Sequence, residues 1–174
     1  VNGDGYDDLI VGVPLSDAGG LNFNGGEAYV IYGKASPTDI DLSFFTNHSS
    51  IGFVIQGDSV EDRAVWSVSK AGDVNGDGFG DVIVGAYQGN DGGTDAGEAY
   101  VIFGSSTTSA VDLGNLPLTQ GFSIIGDKAG DWTGFSVSEA GDVNGDGYDD
   151  LVVGAPRGDR GGTDVGDAYV IYGG

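Results

Sequence analysis

An all-β chain that repeats one four-strand unit is the fold class this sequence predicts, and three observations carry it. Thirty-five of the 174 residues are glycine, and no stretch keeps apolar residues at helical spacing through three turns. Short apolar, mostly β-branched runs (Leu9-Ile10-Val11, Val82-Ile83-Val84, Leu151-Val152-Val153) each follow an acidic, glycine-rich loop and read as strands buried on both faces. Equivalent residues keep a fixed interval: Asp77 to Asp146, Gly85 to Gly154, Tyr100 to Tyr169 and Phe53 to Phe122 are each 69 residues apart. Asp4 to Asp77 is 73, and the four extra residues fall on either side of the run Glu27-Ala28-Tyr29-Val30-Ile31-Tyr32, where a repeated strand unit tolerates insertion.

Each unit reads as four short strands. The first precedes the acidic loop, at 66–69 and 135–138; the second is the apolar run after it, closed by Gly12-Val13-Pro14, Gly85-Ala86-Tyr87 or Gly154-Ala155-Pro156. The third covers 27–32, 98–103 and 167–172, and the fourth 52–55 and 121–125. Four antiparallel strands in a unit of this length make a propeller blade. Cut by blade, the chain divides into residues 1–62 (strands two to four), 63–131 (a complete blade) and 132–174 (strands one to three). About four blades is the lower limit of a closed propeller. The expectation is a segment of a larger propeller, with further blades or another copy of the chain covering both ends.

The loops carry the chemistry. Asp73-Val74-Asn75-Gly76-Asp77-Gly78-Phe79-Gly80-Asp81 recurs as Asp142-Val143-Asn144-Gly145-Asp146-Gly147-Tyr148-Asp149-Asp150. The chain opens on the same phrase without its first acid, Val1-Asn2-Gly3-Asp4-Gly5-Tyr6-Asp7-Asp8, so the natural start is expected to lie upstream. Oxygen-bearing side chains stand at positions 1, 3, 5 and 9 with Gly at position 6. A hard cation such as Ca²⁺ takes six to eight oxygens, which alternate side chains around a sharp glycine turn supply. An acidic hairpin turn is the plainer reading of Asn-Gly and Asp-Gly, but recurrence with identical ligand spacing argues against it. The loop is not an EF-hand: position 12 is Val84 or Val153, and a strand follows where that motif has a helix. Mg²⁺ fits less well, because it keeps octahedral geometry and several waters.

Composition excludes other classes. With 27 acids against 6 bases the formal net charge is −21, which repels nucleic acid and anionic membranes. Eight of the acids stand at the candidate ligand positions of the three loops, so bound cation would offset part of the excess. No apolar run approaches membrane-spanning length. There are no cysteines, which removes disulfides and thiolate chemistry. His48, the single histidine, lies in a polar loop; no Ser-His-Asp set forms without it, so no residue is assigned a catalytic role and the chain reads as a non-enzyme.

The pattern resembles the FG-GAP repeat of the integrin alpha-subunit N-terminal β-propeller and its bacterial relatives, over nearly the whole chain. The acidic loop is its most specific part and the Gly-Ala-Pro half is well kept; Ala64-Val65 and Thr133-Gly134 stand where Phe-Gly is expected. The resemblance implies a seven-bladed propeller and structural calcium at two complete sites and one truncated site. The implied ligands are the side chains of Asp73, Asn75, Asp77 and Asp81 with the Phe79 carbonyl, those of Asp142, Asn144, Asp146 and Asp150 with the Tyr148 carbonyl, and Asn2, Asp4 and Asp8 with the Tyr6 carbonyl. Asp7 and Asp149 are expected by alternation to point away from the ion, and Gly80 shows that position to be dispensable.

The face opposite the metal loops carries residues 15–25, 88–96 and 157–165, where a protein or glycan ligand is expected to bind. Arg157-Gly158-Asp159 spells an integrin-binding tripeptide, a weak signal in a chain this rich in Gly and Asp. Asn47-His48-Ser49 is a glycosylation sequon with meaning only in a secretory eukaryote. Trp132, beside Asp131, is the aromatic most open to a surface contact. The functional expectation is a calcium-binding propeller segment of an extracellular or cell-surface protein serving adhesion or protein–protein recognition. The alternatives are the non-catalytic propeller of a secreted hydrolase or phospholipase, or a surface-coat or filament unit.

Overall fold

The computed structural model describes residues 1–17, 24–36, 39–42, 45, 50–57, 59, 62–107 and 109–174. Asn47, His48 and Ser49 lie outside the described residues, as does part of the 15–25 loop. The strands are β1 (Leu9–Val13), β2 (Glu27–Ile31), β3 (Gly52–Gln56), β4 (Ser67–Gly72), β5 (Asp81–Ala86), β6 (Glu98–Ile102), β7 (Val111–Asp112), β8 (Gly121–Ile125), β9 (Ser136–Gly141), β10 (Asp150–Ala155) and β11 (Asp167–Ile171). They form three sheets in the orders β1-β2-β3-β7, β4-β5-β6-β8 and β9-β10-β11.

Register repeats with sequence. Val11 faces Tyr29, Val84 faces Tyr100 and Val153 faces Tyr169 in the three equivalent hairpins. Each pairs a β-branched residue with an aromatic across an antiparallel ladder, a combination that stabilises sheets. β4 and β9 start one residue later than their sequence suggests and run on to Gly72 and Gly141. Trp66 is held in the preceding turn, where its N–H bonds the Gly85 carbonyl at 3.0 Å. The register slips between Lys70 and Gly72 and between Asp150 and Leu151, so both strands enter the acidic loops through a bulge.

The sheets stack face to face. Ala28, Val30, Phe53 and Ile55 of the first meet Val82, Val84, Tyr100 and Ile102 of the second. On its other face the second sheet sets Ile83, Ala99 and Val101 against Leu151 and Val153 of the third. β5 is therefore buried along its length, as expected. β1 is not: Leu9 is 64% exposed, because the described residues place no sheet over that face.

β7 lies outside the four-strand scheme. It belongs to the segment joining β6 to β8, yet pairs in parallel with β3, Val111 against Ile55 and Asp112 against Gln56. The middle blade thus reaches back to cover the outer edge of the first. A single 3₁₀ turn, Leu113–Asn115, follows, capped by the Asp112 side chain accepting from Gly114 N–H at 3.0 Å. It delivers Leu113 into the core between the two sheets.

Candidate metal centre

All three acidic loops fold the same way. In the middle one, Asp73 Oδ1 accepts from Asp77 N–H at 3.0 Å and Oδ2 from Gly78 N–H at 2.9 Å. Asn75 Oδ1 accepts from Asp77 N–H at 3.0 Å, and Asp77 Oδ1 from Phe79 N–H at 2.9 Å. The third loop repeats this with Asp142 accepting from Asp146 and Gly147, Asn144 from Asp146, and Asp146 from Tyr148. The first keeps Asn2 accepting from Asp4 and Asp4 from Tyr6. These are nested turns in which each short side chain bonds the backbone two to five residues on. Gly76 and Gly78, at φ +71° and +87°, make the reversal possible.

The position-9 acids play a second part. Asp81 is buried; its Oδ1 accepts from Gly104 N–H at 2.8 Å and its Oδ2 from Val74 N–H at 2.9 Å. Asp150 bonds Gly173 and Val143, and Asp8 bonds Gly33 and the Val1 amino group. Each ties the start of its loop to the glycine closing the third strand, which puts that strand's exit on the loop's side of the blade. Burial pushes the Asp81 carboxyl up to about 6; two backbone donors oppose the shift, and the charges of Asp77 and Asp73 add to it.

The donor set suits a hard cation. Positions 1, 3 and 5 bring only oxygen-bearing side chains onto one turn, and the charges of Asp73 and Asp77 are felt at Asp81. Among the described residues no three His, Cys, Asp or Glu side chains stand as a ready metal cage, since one of the three side chains turned inward is an amide and position 9 faces backbone amides. Calcium would be held by Asp73, Asn75, Asp77 and Asp81, and by their counterparts in the other loops, and would supply the charge that lets these acids stay close.

Neighbouring loops touch. A Cβ on Gly3 would lie 2.8 Å from the Phe79 ring, and one on Gly76 would lie 2.5 Å from the Tyr148 ring. The position-7 aromatic of each blade therefore lies over position 4 of the blade before it. Asp149 does more than face outward: its Oδ2 accepts from Asp73 N–H at 2.8 Å. The signal that could have found it is the variation Asp7, Gly80, Asp149 within a phrase that otherwise changes only between Tyr and Phe at position 7.

On the opposite face an acid opens each third strand and anchors the loop before it. Glu98, 1% exposed, accepts from Asp91 N–H at 2.7 Å and Tyr100 O–H at 2.5 Å. Glu27 accepts from Ser16 and Tyr29, and Asp167 from Arg160 N–H. The recurrence of Glu27, Glu98 and Asp167 at the strand starts was a usable sign. Trp132 is half-buried: the Arg157 guanidinium lies 3.5 Å from its ring centre, and Tyr87 and Phe135 pack against it. The Asp159 carboxylate is held by Lys128 at 2.7 Å and by Asp164 N–H at 2.8 Å, so Arg157-Gly158-Asp159 has both charged ends engaged.

Stacked sheets of consecutive antiparallel strands, four in the middle one and three each in its neighbours, with acidic loops on one side are the blades of a β-propeller. The FG-GAP repeat model matches residues 1–31, 64–102 and 135–171, together more than half the chain, which belongs to the FG-GAP repeat family. Integrin alpha-PS2 of Drosophila melanogaster is 31% identical over 92% of the chain, which corresponds to 11% of that protein. Phosphatidylinositol-glycan-specific phospholipase D of Homo sapiens is 33% identical over 100% of the chain and 20% of that protein. Integrin alpha ina-1 of Caenorhabditis elegans is 30% identical over 90% of the chain and 14% of that protein. The chain thus spans only about a tenth to a fifth of these relatives' length. No described helix is long and apolar enough to cross a membrane.

Proposed function

We propose that the chain is a calcium-stiffened segment of an extracellular or cell-surface propeller used for adhesion or protein–protein recognition. The observation that supports it best is the threefold recurrence of one side-chain-to-backbone loop, built only from oxygen donors, at equivalent hairpins. Its role is structural: the ion fixes hairpins whose glycine content leaves them little other stiffness. The 88–96 and 157–165 loops, anchored by Glu98 and Asp167, form the surface offered to a protein or glycan ligand. Further blades or a second copy of the chain cover the open faces, including Leu9, Val11 and Val13.

A second reading, the non-catalytic propeller of a secreted hydrolase, is favoured by the match of this whole chain to a fifth of the human phospholipase D. On it the chemistry lies outside these residues and the calcium role is unchanged. The test is calorimetric titration of the chain with Ca²⁺. Binding at about 10⁻⁴–10⁻³ M, the range of extracellular modules, is expected, with loss of one site in Asp77→Ala and in Asp146→Ala. No heat of binding at millimolar calcium would overturn the reading.

A further inference from the structure

We propose that Asp149, although it belongs to the third loop, is a positioning residue for the cation of the second loop. The inference rests on the calcium reading above and concerns which blade builds the second site.

Asp149 grips the peptide of Asp73 from both sides. Its carboxylate accepts from Asp73 N–H at 2.8 Å, and its own N–H donates to the Asp73 carbonyl at 3.1 Å. Asp73 opens the second loop, and its carboxylate already accepts from the loop's own N–H groups at Asp77 and Gly78. Fixing both the N–H and the C=O of one residue fixes the direction in which its side chain leaves the backbone.

Two further contacts from the same blade act on the same loop. Gly174 N–H bonds the Val74 carbonyl at 2.9 Å, and the Tyr148 ring covers Gly76. Positions 1, 2 and 4 of the second loop are therefore held by the third blade. A carboxylate that bonds and orients another ligand's frame is how outer partners tune metal sites.

The junction between the first and second blades lacks this device. Gly80 replaces the acid, and a Cβ there would come no nearer than 4.0 Å to Val1 N. The stacking of Phe79 over Gly3 persists at that junction, so ring stacking and carboxylate bonding are separable features.

The experiment uses the full chain carrying Asp4→Ala and Asp146→Ala, which leaves the second loop as the one complete site, titrated with Ca²⁺ by calorimetry. Adding Asp149→Ala is expected to weaken that site about 10- to 100-fold, the usual cost of losing an outer partner. Adding Asp149→Asn, whose side-chain oxygen still accepts the Asp73 N–H, is expected to hold affinity within about threefold, a rescue that loss of general stability would not give. Melting temperatures in excess chelator check that each variant folds. Affinity within twofold in Asp149→Ala, or an Asn variant as weak as the Ala variant, overturns the assignment. Absence of binding in the parent itself would instead strike the calcium reading.

Discussion

Gly85, in β5, lies against the backbone of the third blade, and replacing it with alanine measures that approach. A Cβ at this position would stand 2.0 Å from the Gly134 carbonyl oxygen and 2.4 Å from Ser67 Oγ, whereas an ordinary contact begins near 3.4 Å. The carbonyl is backbone of the third blade, so that blade must retreat by more than an ångström. Retreat would also break the hydrogen bond from Ser67 Oγ to Gly134 O, now 2.8 Å long. Overpacking of about 1–3 kcal/mol and a lost bond of about 1 kcal/mol give roughly 2–4 kcal/mol. In a chain of this length each kcal/mol lowers the melting temperature by about 2–4 °C, so Gly85→Ala is expected to fall by roughly 5–15 °C. The repeat provides controls. At Gly12 the nearest atom is the Val65 carbonyl oxygen at 2.6 Å, a lesser clash. At Gly154 the only close atom is Ser136 Oγ at 2.4 Å, which can rotate away. Thermal unfolding followed by circular dichroism at fixed calcium should rank the three substitutions Gly85, Gly12, Gly154 from most to least damaging. Equal damage at Gly154 and Gly85 would refute the argument that inter-blade contact sets the cost.

Truncating Leu113 to alanine removes the buried anchor that follows β7, at a cost of about 2–5 kcal/mol, and should raise amide exchange in β3, the strand that β7 covers; unchanged exchange there would show that the clasp is incidental. Gly76→Ala and Gly145→Ala share a backbone at φ +71° and +78°, but only Gly76 lies under a ring, so Gly76→Ala should lose more stability; equal losses would mean that Tyr148 gives way freely. Calcium at a hundredfold excess over Kd should stabilise each occupied site by about 2.7 kcal/mol, and superimposable melts with chelator and with millimolar calcium would count against any structural role.

The parts of this fold that repeat were legible in sequence because repetition reveals register. The acidic loops, the apolar runs after them and the Ala-Tyr-Val-Ile strands stand at constant spacing, and each reappears as a hairpin of identical pairing. What was not legible occurs once or acts between blades. β7 is two residues long, too short for any periodicity, and its partner lies in another blade. Alternation placed Asp149 outside its own loop's turn and could not say that the next loop waited there. Val65 is a further case: it stands where the repeat has Gly134 and is held at φ +62°, a conformation that β-branched residues avoid. Its side chain is 1% exposed in the core between the first two blades, so burial outweighs backbone strain at that position.

These inter-blade contacts change what a cation in the loops would do. An ion confined to one hairpin would relieve only the repulsion among that hairpin's own acids. Here the Asp149 carboxylate accepts from the Asp73 backbone N–H, so the third blade helps to set the frame of the second loop. Lys70, a cation at which the Asp149 charge is felt, is exposed and committed to Glu139 at 2.6 Å. With 27 acids against 6 bases, the chain has few cations to spare for such places. On the calcium reading, filling the second loop would therefore offset the repulsion of Asp73 and Asp77 on Asp81 and brace a turn that the third blade already holds.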